Sequence, residues 1–71
     1  MSLARTERGM KVVVVSLETS RALEERLASV GIFPGAELEV VRNSGRGDMI
    51  LGCLGGRFAL GRELTSAIRV A

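Results

Sequence analysis

Apolar residues change their spacing along this chain, and each change predicts a different element. Residues 11–17 read Lys-Val-Val-Val-Val-Ser-Leu, and this β-branched run predicts a strand. Because the four valines are consecutive, we expect both faces of this strand to be at least partly covered. Leu23, Leu27 and Val30 then recur at helical spacing, which predicts that one apolar face of a helix lies in the core.

Local signals set the limits of this helix. Thr19 or Ser20 offers an N-cap, and Gly31 stands where a left-handed residue would end the helix. Pro34-Gly35 then fits the central positions of a type II turn, in which glycine supplies the positive φ. A helix of about three turns does not persist alone in water, so we expect it to dock on a sheet.

Strands dominate the second half of the prediction. Residues 34–42 alternate apolar and acidic side chains, as in a half-buried strand, and the polar run 43–47 predicts a loop. Residues 48–54 predict the next strand. In this strand we expect Ile50 and Leu54 to face inward.

The chain closes with short elements. Gly55-Gly56 predicts a two-residue hairpin turn, followed by a strand over residues 57–60. Residues 63–66 predict one helical turn, and Ile68 with Val70 predicts a last strand. We therefore expect one mainly β domain over residues 1–71, with one short α-helix. A small closed barrel would hide the edges of so short a sheet.

The residue types present argue against catalysis. The 71 residues include no histidine, tryptophan or tyrosine, and Cys53 is the single cysteine. A serine triad would lack its histidine, and a cysteine-rich metal site would lack its ligands. We expect no enzymatic activity, no cofactor, no bound metal and no small-molecule substrate.

No part of the sequence predicts a membrane segment. The longest apolar run is far shorter than the roughly 20 residues that a membrane helix needs. Residues 1–10 contain charged side chains and no apolar block typical of a signal peptide. We expect a cytoplasmic protein that does not insert into membranes.

Basic residues are unevenly spread although the net charge is only +2. Between residues 42 and 62 there are four arginines and one acidic residue, Asp48. This stretch is either an edge that contacts phosphate groups or a set of solvated turns and strand faces. We favour the solvated interpretation, because Phe33 and Phe58 are the only aromatic residues that could stack on bases.

Residues 26–35 read Arg-Leu-Ala-Ser-Val-Gly-Ile-Phe-Pro-Gly, and this run resembles the FeoA family of small cytosolic proteins of bacterial ferrous iron transport. The resemblance continues over nearly the whole chain. Its further matches are the strand Leu38 to Val41, Arg42, Gly47-Asp48, Gly55-Gly56, Ala59-Leu60 and Ile68-Arg69-Val70.

This resemblance implies an SH3-like β-barrel and a protein partner. The implied partner is the FeoB-type ferrous iron transporter, through its cytoplasmic G-protein domain. Similar domains occur at the C-terminus of iron-dependent repressors, where they serve as accessory modules. The resemblance thus implies a non-catalytic regulatory protein that binds a transporter.

Turns at one end of a rigid barrel present variable surface, and we expect the partner contact there. For Arg26 we weigh a structural hydrogen bond to loop carbonyls, which we favour, against contact with the partner. For Phe33 we weigh an exposed anchor against a plug in the barrel end. The expected contact residues are Arg26, Gly31, Ile32, Phe33, Pro34, Gly35, Arg42, Arg46, Asp48 and Met49.

Two other functions stay open at this point. A small barrel with several arginines could bind nucleic acid, with an affinity that falls steeply as salt rises. Alternatively, an exposed barrel edge or the strand over residues 48–54 could pair between copies and form a homo-oligomer.

Overall fold

The computed structural model describes residues 1–54 and 56–71. Apart from a 3₁₀ turn at the start, which is not predicted, its elements follow the order that the hydrophobic pattern predicts. They are a 3₁₀ turn (Leu3–Arg5), β1 (Lys11–Leu17), α1 (Arg21–Ser29), β2 (Glu37–Arg42), β3 (Met49–Cys53), β4 (Gly56–Leu60), α2 (Arg62–Ser66) and β5 (Ile68–Val70).

The five strands form one antiparallel sheet in the order β4-β3-β2-β1-β5. No pairing between β4 and β5 is found within residues 1–54 and 56–71, so the expected closure of the sheet is wrong. The 3₁₀ turn packs against α2, and both contact β5. Helical turns therefore cover this side of the sheet in place of a strand pairing.

The alternation along β1 corrects one expectation. Val12, Val14 and Leu17 are buried, whereas Val13 and Val15 are 39% and 55% exposed. Val13 lies opposite Glu37 of β2, on a face that carries charged side chains. The outer face of β1 is therefore turned to solvent, and the run of valines does not mark a strand covered on both sides.

Helix α1 has the predicted start, but only part of the predicted apolar face is buried. The Oγ of Ser20 accepts a hydrogen bond from the backbone N–H of Leu23 at 3.2 Å, so Ser20 is the N-cap. Leu27 is buried and Leu23 half-buried, whereas Val30 is exposed. Val30 is the C-cap, where the chain leaves the helix, and this explains why helical spacing misplaces it.

Strand β2 alternates as predicted, with Leu38 and Val40 buried. In β3 the buried residues are Met49, Leu51 and Cys53, so the expectation for residues 50 and 54 is wrong. Opposite residues of an antiparallel pair point to the same face, and Leu51 lies opposite the core residue Val40. This pairing decides which face of β3 is buried.

The β3–β4 hairpin differs in detail from the prediction. Cys53 pairs with Gly56, which places Leu54 in the turn. Gly55, half of the predicted Gly55-Gly56 turn, lies outside the described residues. Phe58 and Leu60 share one face of β4, as predicted, and both pack against the core.

The last elements confirm the prediction, and they hold the two ends of the chain together. Ile68 and Val70 of β5 are buried. The N-terminal ammonium group of Met1 donates a hydrogen bond to the carbonyl of Val70 at 3.2 Å, and Ser2 forms a bridge with Arg69. The remaining core residues come from nearly every element: Leu3, Val12, Val14, Leu17, Leu27, Ile32, Ala36, Leu38, Val40, Met49, Leu51 and Cys53.

Candidate partner-binding site

The corner between α1 and β2 is built from two consecutive turns. The N–H of Ile32 donates to the carbonyl of Leu27 and the N–H of Gly31 to that of Ala28, which is the Schellman arrangement. Gly31 has a φ of +97°, which only glycine adopts readily. The predicted helix end at Gly31 is confirmed.

A type II turn follows directly. The N–H of Ala36 donates to the carbonyl of Phe33 at 2.9 Å, and Gly35 has a φ of +94°. The carbonyl of Val14 in β1 accepts from the N–H of Gly35 at 2.8 Å. The corner is therefore fixed to the sheet by its backbone, and the predicted Pro34-Gly35 turn is confirmed.

The β3–β4 hairpin packs against this corner. The Cys53 thiol donates a hydrogen bond to the carbonyl of Val30 at 3.3 Å, and burial raises the pKa of that thiol. A Cβ at Gly31 would lie 2.9 Å from the Cδ1 of Leu54, so the absence of a side chain there admits the hairpin. Two segments far apart in sequence thus form one surface.

Three apolar side chains are exposed on this surface. Leu54 is 86% exposed, Phe33 41% and Val30 37%. We call Val30, Phe33 and Leu54 the corner surface. Phe33 and Leu54 also border an open cleft of about 480 Å³ whose walls include Lys11 and Glu39. An apolar centre with charged walls is typical of a protein-binding surface.

The expected contact residues of the corner differ in accessibility. Arg26, Phe33, Pro34 and Gly35 are exposed. Ile32 is fully buried, so its side chain belongs to the core and cannot touch a partner of the folded chain.

The structure bears on the two interpretations weighed above for Arg26 and on the two for Phe33. Within residues 1–54 and 56–71 the Arg26 guanidinium donates no hydrogen bond, so the structural bond that we favoured is not found there, and contact of Arg26 with a partner stays a prediction. Phe33 lies at the surface between the cleft beside Leu54 and a second cleft beside α1, and it does not plug the interior. Both side chains are available to a partner.

The second expected segment lies elsewhere. Arg42, Arg46 and Asp48 are exposed, but Arg42 is the last residue of β2 and the other two follow it, away from the corner at the start of that strand. Met49 is fully buried and belongs to the core. The structure therefore does not bring the two expected segments together into one surface.

The loop between β2 and β3 is held by a side chain that the sequence analysis did not single out. Asn43 donates from Nδ2 to the carbonyls of Thr6 at 2.6 Å and Ala4 at 3.1 Å. Its Oδ1 accepts from the Nη2 of Arg62 at 2.9 Å and from the N–H of Gly45. Arg62 is thus a structural residue and not part of an exposed arginine edge.

Sequence reasoning missed Leu54 and Val30 as exposed residues. Val30 continues a helical apolar pattern, and no local signal separates it from Leu27. Leu54 stands beside Gly55-Gly56, and this proximity to a turn is the one signal that argues against a core position.

Within residues 1–54 and 56–71 no three histidine, cysteine, aspartate or glutamate side chains lie close enough to hold a metal ion. None of the helices in this part of the chain has the length and hydrophobicity of a membrane span.

Comparison with known proteins identifies the relatives of this chain. The family model described as FeoA domain matches residues 1–71. A protein of Methanocaldococcus jannaschii named Fe(2+) transport protein A is 35% identical over 68 residues, which is 96% of this chain and 82% of that protein.

Solved structures agree with the fold. A crystal structure of the iron uptake regulatory protein FeoA superposes with a TM-score of 0.87 at 29% identity, covering 100% of this chain and 97% of the other. The solution structure of FeoA from Chlorobium tepidum gives 0.88 at 30%, covering 99% and 68%. FeoA of Stenotrophomonas maltophilia complexed with zinc, described as an SH3 domain protein, gives 0.84 at 24%, covering 100% and 89%. The expected SH3-like fold is confirmed, although the sheet is open.

Proposed function

Since this chain belongs to the FeoA domain family, we propose that it is a regulatory accessory protein of ferrous iron transport and has no catalytic role of its own. Its partner is the cytoplasmic G-protein domain of a FeoB-type transporter, which places the chain in the cytoplasm. The chain acts by contact with protein and does not carry the metal. The names of its relatives support the transport role.

The exposure of the corner surface is the observation that best supports it as the contact site. Val30, Phe33 and Leu54 come from a helix end, a turn and a hairpin that are tied together by hydrogen bonds. Such a surface is already ordered before binding, which lowers the entropy cost of association. A large aromatic side chain that a partner buries is a common binding anchor.

The first expected segment joins this surface in the proposal. Pro34 and Gly35 adjoin Phe33 in the turn, and the buried Gly31 sets the backbone at the end of α1. Arg26 would add an exposed charge on α1. Arg42, Arg46 and Asp48 would contact the partner only if its surface also reaches the far end of β2. Ile32 and Met49 act through the core that supports both segments.

Regulation requires a difference in affinity between transporter states. A ligand shifts an equilibrium only by as much as it prefers one state over the other. The proposal therefore demands that the G-protein domain with GTP and the same domain with GDP bind this chain with different dissociation constants.

An NMR titration of the ¹⁵N-labelled chain with the soluble G-protein domain of the cognate transporter tests the proposal. We expect localised shift changes over residues 30–35 and at Leu54, with affinities that differ between the two nucleotide states. Phe33→Ala should weaken binding about tenfold, because an aromatic anchor is lost.

Val15→Ala is the matched control, since Val15 is an exposed apolar residue on β1 and outside the corner surface. Its affinity should match that of the unmodified chain. Equal losses for the two variants would show that the corner is not the contact. If a large molar excess of the G-protein domain causes no shift changes, the proposed partner is wrong.

A further inference from the structure

A third cleft lies on the outer face of the sheet, and the charged residues that line it are all arginines. It has a volume of about 580 Å³, and its charged walls are Arg8, Arg42 and Arg57. Its floor is apolar and includes Val41, Ile50 and Ala59. We call these six residues, together with Phe58, the arginine cleft.

A β-bulge builds one wall of the arginine cleft. Val40 pairs with Leu51 and Arg42 with Ile50, so Val41 is an extra residue in β2. With strict alternation, Arg42 would point to the same face as the buried Val40. The bulge turns it outward beside Val41, and bulges commonly re-aim a side chain in this way.

Arg8 reaches the same place through the segment before β1. The N–H of Gly9 donates to the carbonyl of Val40 at 2.7 Å, and the N–H of Val40 donates to the carbonyl of Met10 at 2.8 Å. These two bonds fix the residue after Arg8 directly beside the bulge. Arg57, opposite Gly52 on the edge strand β4, closes the other side.

Among the described residues, no acidic side chain forms an ion pair with the three arginines of the cleft, although Glu37 and Glu39 line the neighbouring cleft with Arg57. In the part of the chain that the structure describes, a single ion pair forms within 4.0 Å, and it joins Arg21 to Glu25 on α1. None of the three cleft guanidinium groups donates a hydrogen bond to another described residue. Three such groups around an apolar floor attract carboxylates that flank an apolar side chain.

We propose that the arginine cleft binds an extended acidic peptide segment of a protein partner, with an apolar side chain between two carboxylates on one face of the segment. Arg57 and Arg42 stand two strand spacings apart and are offset by two residues along the strands, so their Cα atoms are about 12 Å apart. Carboxylates at positions i−2 and i+2 of an extended peptide are about 13 Å apart. Arginine side chains are long enough to cover the difference.

The floor of the cleft favours a peptide over nucleic acid. Single-stranded nucleic acid binds through stacking on exposed aromatic rings as well as through phosphate contacts. The aromatic residue that lines this cleft is Phe58, which is half-buried and packs against the core. Val41 and Arg57 also line the cleft beside Phe33 and Leu54, so the arginine cleft adjoins the corner surface on the outer face of the sheet. The peptide test below does not depend on which partner supplies the segment.

Two synthetic peptides of identical composition provide the test. Acetylated and amidated Gly-Asp-Ser-Leu-Ser-Asp-Gly places leucine and both aspartates on one face when extended. Gly-Ser-Asp-Leu-Asp-Ser-Gly places the aspartates on the opposite face. NMR titrations of the labelled chain should give at least about fivefold tighter binding for the first peptide, with shift changes at Val41, Ile50 and Ala59.

Paired variants separate local from bulk charge. Arg42→Gln with Arg57→Gln should weaken binding of the first peptide about tenfold. Arg21→Gln with Arg69→Gln removes the same net charge elsewhere and should change it less than about twofold.

Three results would each overturn the proposal. Equal affinity for the two peptides would show attraction by net charge alone. Equal losses for the two paired variants would place the site outside the cleft. Tighter binding of a short oligothymidylate than of either peptide, with a steep dependence on salt, would assign the cleft to nucleic acid.

Discussion

Leu54 combines an unfavourable backbone conformation with an exposed apolar side chain. Its φ is +46°, and it is the one described residue other than glycine with a positive φ. The left-handed region costs a branched L-residue about 1–2 kcal/mol, and a side chain that is 86% exposed regains little by burial. Strain of this kind commonly accompanies a functional role.

Leu54→Asn should therefore stabilise the chain and weaken partner binding. Asparagine tolerates the left-handed region, so we expect the free energy of unfolding to rise by roughly 0.5–1 kcal/mol in urea titrations. Leu54→Ala is the control, because alanine keeps the backbone cost while removing the side chain. If both variants destabilise the chain equally, the left-handed strain at Leu54 is not a stability cost.

At the scale of elements, the Asn43 side chain joins three segments of the chain. It links the β2–β3 loop to the 3₁₀ turn at the start of the chain and to α2, through Ala4 and Arg62. The carbonyls that it satisfies are partly buried, so they have little access to water. A partly buried carbonyl without a donor costs free energy comparable to a lost hydrogen bond.

Asn43→Ala should lower the free energy of unfolding by about 1–3 kcal/mol, since the partly buried carbonyl of Thr6 loses its donor and Arg62 loses one acceptor. The carbonyl of Ala4 would still accept from Arg62. Urea unfolding followed by circular dichroism measures this. Ser44→Ala, at the next and exposed position, should stay within about 0.5 kcal/mol of the unmodified chain. A loss at Asn43 no larger than at Ser44 would mean that water replaces the network.

Local signals account for the elements that the sequence analysis predicts correctly. Ser20, Gly31 and the Pro34-Gly35 turn each act through bonds to residues near them in sequence, so they can be recognised without the fold. The face of β3 cannot be recognised in this way, because apolar residues occupy both of its alternating sets. Only the pairing of Leu51 with Val40, a contact between separate segments, selects the buried set.

The candidate site shows the same division between local and distant information. Phe33 could be placed at a turn from its neighbours. Two other features depend on contacts between segments that are distant in sequence. Leu54 lies beside Gly31, and the bulge at Val41 turns Arg42 outward. The sequence therefore predicts which turns are exposed but not which of them form one surface.

On the scale of the whole molecule, ion pairs contribute little to stability. The one pair within 4.0 Å in residues 1–54 and 56–71, Arg21 with Glu25 at 3.8 Å, is exposed on α1. Exposed pairs are worth at most about 1 kcal/mol and are screened by salt. The stability of the fold then rests on the apolar core and the backbone hydrogen bonds of the sheet.

Stability should accordingly depend little on ionic strength. We expect the free energy of unfolding to change by less than about 0.5 kcal/mol between about 0.05 and 0.5 M sodium chloride. Urea titrations across this range measure it, with Arg21→Gln as the reference for loss of the pair. A change above about 1 kcal/mol would show that charges outside close pairs matter to folding.

The pairing of the two chain ends has a mechanical consequence. Met1 lies beside Val70, and Ser2 and Arg69 form an antiparallel bridge, so both ends leave the molecule at the same point. A force applied to the two ends would load these bonds one after another, as in a zipper, and not all together in shear. If this fold were joined in one chain to a domain whose terminal strands are loaded in shear, this fold would unfold first under tension.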